Sequence, residues 1–335
     1  MSQPHYHIYA IGNALVDTEV QVQENFLQDM DITKGIMTLV NQEEQGALLE
    51  ALRCQAPPQE RASGGSAANT VIAASYFGAK CFFSCRVADD ETGAFYVRDI
   101  QAAGVNTNMA GQRPEGVSGT CVVMVTPDAE RTMYTYLGIA EEVSIEDIDE
   151  AAVKASDYVY IEGYLVTSAT ARPAAKHLAE LARANNTKVS LTFSDPAMAE
   201  FFRDGLKEVI GPGVDLLFCN EEEAQLFTET HSLEEALEAL KTYSQQVVIT
   251  RGPKGAVAWD GETLHQFDGV PVEAVDTTGA GDLFAGAFLY ALSQGKGFAE
   301  AGPFACHSAA QVVKDFGPRL TEAQYVALKQ AFFKE

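Results

Sequence analysis

The chain reads as an α/β protein with a mostly parallel sheet covered by helices on both faces, plus a small separate β-sheet. Three observations predict this. From Asp157 onward, short β-prone runs alternate regularly with helical stretches. Two glycine-rich turns, one near each end of the chain, open directly onto helices of small apolar residues. A β-hairpin between residues 118 and 137 interrupts the alternation and so belongs to a second sheet.

Composition bounds the answer further. The 335 residues suffice for one large α/β domain, or one domain with a small appendage, and 47% hydrophobic residues fit a globular chain. The formal charge of −24 argues against nucleic acid or an anionic membrane surface as partner. No apolar run nears the roughly 20 residues that span a membrane, and the N-terminus lacks a secretion signal. Cys54, Cys81, Cys85, Cys121, Cys219 and Cys306 are scattered without zinc-type spacing, as in buried, reduced thiols. Cytoplasmic residence is therefore expected.

Taken in order, His7 to Gly12 is a first buried strand. Asn13 and Asp17 follow its carboxyl end, where open α/β sheets bind ligands, although a plain turn pair reads equally well. Residues 19 to 40 are mixed, with a β segment from Lys34 to Val40. A helix runs from Asn41 through Leu52, and Pro57-Pro58 ends it. Ser63-Gly64-Gly65-Ser66-Ala67-Ala68-Asn69 is the first glycine-rich turn, and its helix stops at Gly78. Asn69, one turn in, can give and accept hydrogen bonds to vicinal hydroxyls. Phe82 to Val87 is a strand, and Asp90 to Ala103 a helix closed by Gly104. Ser118–Val125 and Arg131–Leu137 form the hairpin. The later strands are Tyr158–Gly163, Lys188–Phe193, Val214–Cys219 and Gln246–Thr250, with helices through Leu181 and Val209 between the first three. Asn220 begins another helix, with Glu221, Glu222 and Glu223 suited to its dipole. Thr250-Arg251-Gly252-Pro253-Lys254-Gly255 leads into Val257, as a hairpin would. Trp259 is read as core, and Asp260-Gly261 as a tight turn. Helices from Phe298 to Val313 and from Glu322 to Phe333 close the chain.

The second glycine-rich turn, Val275-Asp276-Thr277-Thr278-Gly279-Ala280-Gly281-Asp282, carries the chemistry. Gly279 and Gly281 let the backbone bend and approach a ligand. The first amides of the following helix lack partners and, with the dipole, favour phosphate. Asp282 is costly beside an anion unless it has a task, such as taking a proton from an attacking hydroxyl. A capped helix start would also explain these residues. The turn is neither a P-loop nor a dinucleotide fingerprint.

Taken whole, Thr277-Thr278-Gly279-Ala280-Gly281-Asp282 resembles the C-terminal signature of the ribokinase-like (PfkB) family of carbohydrate and nucleoside kinases. Gly64-Gly65-x-x-x-Asn69 resembles its N-terminal signature, and Gly12-Asn13-x-x-x-Asp17 its adenosine kinase branch. The resemblance implies a three-layer αβα sandwich spanning 1–335 as one kinase domain, with a discontinuous lid from about 18–40 and 106–138. It implies that Asp282 is the catalytic base and that Gly279, Ala280 and Gly281 form the anion hole. It places Asn13, Asp17, Gly64, Gly65, Asn69, Arg131, Met133 and Tyr164 at the substrate, with Asp17 holding two sugar hydroxyls. Asn220, Thr250, Gly252, Gly255, Gly281 and His307 would line ATP. Asn220 and Glu223 would orient Mg²⁺-bound water, and Asp276 and Thr278 would lie near a monovalent cation such as K⁺. The implied reaction is phosphorylation of the 5′-type hydroxyl of a nucleoside, adenosine first. Ala68, and Tyr164 in place of Phe, depart from the pattern. Another nucleoside, or a free sugar such as ribose or fructose, is the alternative substrate, and a non-catalytic nucleoside sensor is the second alternative. The expected assembly is a monomer or a homodimer.

Overall fold

A computed structural model describes residues 5–53 and 61–333; Cys54 and Pro57-Pro58 lie outside them. The chain runs β1 (Tyr6–Ile11), β2 (Leu15–Gln21), α1 (Glu24–Asp29), β3 (Met37–Leu39), α2 (Gln42–Arg53), β4 (Arg61–Gly64) and α3 (Ser66–Phe77). It continues with β5 (Cys81–Ser84), α4 (Glu91–Ala102), β6 (Val105–Thr107), β7 (Gly119–Val125) and β8 (Arg131–Tyr136). Then come α5 (Glu150–Lys154), β9 (Ser156–Glu162), α6 (Ala171–Ala184), β10 (Lys188–Thr192), α7 (Pro196–Phe201), α8 (Arg203–Ile210) and β11 (Val214–Asn220). The last elements are α9 (Glu221–Thr228), α10 (Leu233–Leu240), β12 (Ser244–Thr250), β13 (Ala256–Trp259), β14 (Leu264–Phe267), α11 (Ala280–Ser293), α12 (Phe298–Val312) and α13 (Glu322–Phe332).

The large sheet has the order β14-β13-β12-β11-β10-β9-β1-β5-β6. Its strand pairings are parallel except β12–β13 and β13–β14, which are antiparallel. Strand residues alternate between the two faces. Ile8 and Ala10 of β1 join one buried cluster with α3, α11 and α12. Tyr9 and Ile11 join the other, with α6, α8 and α9. Both faces are thus buried, as parallel sheets require, and the architecture is the three-layer sandwich expected.

The small sheet has the order β3-β8-β7-β2-β4. Its outer face, including Val20, Val122 and Met124, is covered by Phe26, Leu27, Leu48 and Leu52 of α1 and α2. Its inner face carries Leu15, Asp17, Cys121, Val123 and Met133 towards the large domain. Several expectations need correction here. Residues 15–21 form a seven-residue strand, not a turn followed by mixed chain. Arg61–Gly64 is a third segment of the small sheet, outside both expected segments. Val105–Thr107 pairs with β5 in the large sheet, so the second segment begins in the core. The helix expected through Val209 is broken at Phe202, whose φ of −119° leaves helical geometry.

The approach of α3 to α11 brings the two glycine-rich turns together. A Cβ on Gly286 would collide with the Thr70 carbonyl and press on the Ala73 methyl. The helices therefore approach backbone to backbone there. We predict that Gly286→Val lowers stability by about 1–3 kcal/mol through overpacking. Chemical denaturation measures this, and an unchanged midpoint would contradict the tight crossing.

Candidate active site

The turn at 275–282 is built by its glycine and its acid. Gly279 sits at φ +71°, left-handed, and a Cβ there would lie 2.6 Å from the Pro318 Cβ. Buried Asp276 closes the turn: Oδ1 accepts the Thr278 N–H at 2.8 Å and Oδ2 the Gly317 N–H at 3.0 Å. The Ala280 N–H reaches the Thr277 carbonyl at 3.3 Å, and the Leu283 N–H takes the Gly279 carbonyl at 2.8 Å. The N–H groups of Gly281 and Asp282, between them, are left without a helical acceptor. The Thr277 hydroxyl donates to the carbonyl of Ala129, at the tip of the β7–β8 hairpin, at 3.2 Å.

Asp282 itself is held from the first turn. Its Oδ1 accepts the Ser66 hydroxyl at 2.7 Å and its Oδ2 the Asn69 Nδ2 at 3.3 Å. Gly65 makes this possible at the start of α3, with φ +96° and its α-carbon packed on the Asn13 carbonyl. Burial raises the Asp282 pKa, while Ser66, Arg131 and Asn69 oppose the shift.

Asp282 and Gly279 border two cavities at once. The first cavity lies between the small sheet and the carboxyl ends of β1 and β9. Asn13, Asp17, Gly65, Asn69, Arg131, Met133 and Tyr164 line it. Gly64 does not, but its bare α-carbon is what lets the Asp17 carboxylate pack there. Among the described residues the Asp17 carboxylate accepts no hydrogen bond, although the residue is only 7% exposed. The buried Asn69 Oδ1 and Thr278 Oγ1 have no partner either. Buried polar groups without partners await a ligand that supplies them.

The second space is an open cleft along the carboxyl ends of β10, β11 and β12, lined by Asn220, Glu223, Thr250, Gly252, Gly281 and Asp282. Asn220 and Glu223 form a capping box: Oε1 of Glu223 accepts Asn220 Nδ2 at 2.8 Å and its Oε2 the Asn220 N–H at 3.0 Å. Each carboxylate oxygen keeps a lone pair for water. Among the described residues no three His, Cys, Asp or Glu side chains could grip a metal directly. This donor set fits a Mg²⁺ reached through water. Beyond the cleft, Thr250, Gly252, Gly255, Phe284, Ala309 and Val313 bound a largely apolar hollow.

His307 is not brought to that hollow. On α12 and its C-cap the residues facing it are Cys306, Ala309, Ala310 and Val313, at helical spacing. His307 lies one step round the helix. Its Nδ1 meets the Pro303 carbonyl at 2.9 Å and its ring lies edge-on to Phe332. Three groups that the sequence reading passed over do belong to the site. Ser66 holds Asp282, as described above. Buried Glu162, at the end of β9, accepts the Asn13 N–H at 2.8 Å and the Ala67 N–H at 2.9 Å. Asp195 accepts the Tyr164 hydroxyl at 3.3 Å and caps α7 through Ala197 N–H at 2.8 Å. A carboxylate ending an apolar strand was the available signal for Glu162.

Burial pushes the carboxyl groups of Asp17, Glu162 and Glu223 up to about 7. It pushes Glu19, on the same face of β2 as Asp17, to about 8. The folded protein therefore holds these protons more tightly than the unfolded chain does. Stability falls as pH rises from the ordinary carboxylate range through about 7. We predict that the unliganded protein has a lower urea midpoint at pH 8 than at pH 5.5. The loss should be smaller in Glu162→Gln, and stability rising over this interval would contradict the assignment.

No helix among the described residues is long and apolar enough to cross a membrane. Residues 36–324 match the pfkB family of carbohydrate kinases. Adenosine kinase 1 of Arabidopsis thaliana is 28% identical over 92% of this chain and 94% of its own length. Ribokinase of Mus musculus is 29% identical over 69% of this chain and 71% of its own. The crystal structure of adenosine kinase from Sinorhizobium meliloti superposes with a TM-score of 0.92 at 32% identity, covering 98% of this chain and 100% of that one. With two glycine-rich helix starts converging on one acid and a family match over most of its length, the chain belongs to the pfkB family of carbohydrate kinases, in the adenosine kinase branch.

Proposed function

We propose that this protein transfers the γ-phosphoryl group of ATP to the 5′-hydroxyl of adenosine, giving AMP and ADP. The observation that carries the reading is the position of Asp282. Its carboxylate borders both the cavity and the cleft, at the start of a helix whose first amides are free. A hydroxyl presented from the cavity and a phosphate presented from the cleft meet at that acid.

The geometry supports a role for each residue. Asp17 accepts two ribose hydroxyls, which give its unpartnered carboxylate the donors it lacks. Asn69 Oδ1 accepts a third hydrogen bond, with Asn13, Gly65 and Met133 shaping the wall. The Tyr164 ring offers a face to the purine. Asp282 takes the 5′-hydroxyl proton as the oxygen attacks phosphorus. The bond from the γ-phosphorus to the β–γ bridging oxygen breaks, and ADP leaves with that electron pair. The N–H groups of Gly281 and Asp282, and the turn Gly279–Ala280, stabilise charge on the equatorial oxygens. Arg131 projects between cavity and cleft without an ion-pair partner among the described residues, and so can neutralise phosphate. Thr250, Gly252 and Gly255 line the nucleotide side, and the apolar hollow takes the adenine. Mg²⁺ bound to ATP neutralises phosphate charge, and Asn220 and Glu223 would hold it through water. Carbonyls near Asp276 and Thr278 would hold a monovalent cation, since the Asp276 carboxylate is already spent on the turn.

The five-stranded sheet is proposed to act as a lid over the nucleoside, keeping water from the phosphate. We read the protein as a cytoplasmic purine-salvage enzyme whose single domain carries this lid. An ADP-coupled assay over nucleosides, ribose and fructose tests the substrate, with adenosine expected to give the highest kcat/KM. Equal or better turnover of ribose or fructose would move the assignment to a sugar kinase.

Asp282→Asn is expected to keep the fold and adenosine binding and to lose at least about a hundredfold in kcat, the usual scale of general-base catalysis. Turnover near that of the wild type would remove Asp282 from the role of base. Asp17→Ala is expected to raise KM for adenosine with little change in KM for ATP, and an unchanged adenosine KM would count against it.

A further inference from the structure

Arg319 lies between α12 and α13, in the segment that braces the phosphate turn. Its neighbour Pro318 packs on Gly279, and the Gly317 N–H holds the Asp276 carboxylate at 3.0 Å. The guanidinium reaches Asp99 and Ser63. Nη1 donates to Asp99 Oδ2 of α4 at 2.8 Å. Nη2 donates to the Ser63 carbonyl and, at 2.7 Å, to the Ser63 hydroxyl oxygen. Asp99 Oδ2 in turn accepts the Ser63 N–H at 3.0 Å and the Ser63 hydroxyl at 2.5 Å. Ser63 is completely buried and sits in β4 opposite Val16 of β2. The next residue, Gly64, packs its α-carbon against the Asp17 carboxylate.

We propose that Arg319 is a positioning residue for the reaction: by clamping Ser63 onto Asp99 it seats Gly64 against Asp17, and through Pro318 it ties that seat to the phosphate turn. The clamp makes one rigid piece of the two ends of the site, which are far apart in sequence. A planar fork with donors in fixed directions suits this task, whereas the flexible single ammonium of Lys does not. The proposal rests on the reading of Asp17 as the acceptor of sugar hydroxyls.

The same guanidinium acts on Asp17 electrostatically. The charged and titratable groups facing Asp17 are Arg319, Asp282, Arg131, Glu19, Cys121 and Tyr96. Burial raises the Asp17 carboxyl most, and Arg319 is the strongest influence holding it down. Loss of the guanidinium must therefore shift Asp17 further up. A brace that carries no charge would not do this.

The test is steady-state kinetics with adenosine and ATP from pH 5.5 to 9, together with calorimetric adenosine binding, on wild type, Arg319→Met and Arg319→Lys. In Arg319→Met, KM for adenosine should rise at least about tenfold, since small misplacements of binding groups have effects of this size or larger. KM for ATP should change less. The acid limb of kcat/KM for adenosine should move to higher pH by about one unit or more, the scale set by a lost opposite charge. In Arg319→Lys the limb should stay in place while KM rises, because the charge remains and the fork is gone. A Met variant that melts earlier yet keeps both KM and the acid limb would overturn the proposal. If the Met variant does not fold, an unchanged adenosine KM in Arg319→Lys overturns it instead. A wild-type protein that binds no nucleoside would overturn the parent reading, and this one with it.

Discussion

The structure depends on the close crossing of α3 and α11. Two helices that begin in glycine-rich turns are brought together where Gly286 leaves room for the Thr70 carbonyl. Their N-termini then converge, and Asp282 of one accepts hydrogen bonds from Ser66 and Asn69 of the other. The partners are 216 and 213 residues apart in the chain. A carboxylate next to a helix start that favours phosphate would repel its own ligand in isolation. Fixed by two donors from a second helix, it is turned towards the space between cavity and cleft.

Around this point the protein concentrates carboxylates that it does not neutralise internally. Asp17 accepts no hydrogen bond among the described residues, and one oxygen of Glu19 is buried without a partner. Such groups lower the stability of the unliganded fold in the neutral range, since the buried charged form is disfavoured. Binding sites commonly carry this penalty, because a ligand with hydroxyl donors relieves it. The small sheet contributes the other requirement. Its outer face is sealed by α1 and α2, while its inner face presents Leu15, Cys121, Val123 and Met133 over the carboxylates. Apolar walls around few polar groups strengthen every electrostatic interaction inside.

Much of this was legible in the sequence because it is local. Gly65 and Gly279 adopt left-handed φ, so the turns announce themselves. The strands from β9 to β12 are apolar runs of β-prone residues, and the capping box at Asn220–Glu223 is written in four consecutive residues. What escaped has a physical reason in each case. Strand β2 carries Asp17 and Glu19 on its inner face, so its apolar alternation is broken by two acids. Strand β4, Arg-Ala-Ser-Gly, contains no β-branched or aromatic residue. The break at Phe202 has no Gly or Pro to mark it. His307 looked available as a ligand, but one step of helical rotation separates it from the wall formed by Cys306, Ala309 and Ala310. Glu162 and Arg319 act through partners that only the tertiary fold supplies.

The most direct test of the central claim is a crystal structure of the protein with adenosine and a non-hydrolysable ATP analogue. The account predicts the 5′-oxygen within hydrogen-bonding distance of an Asp282 carboxylate oxygen, and the terminal phosphate on the N–H groups of Gly281 and Asp282. A terminal phosphate bound away from the start of α11, or an Asp282 carboxylate turned from the 5′-oxygen, would contradict it.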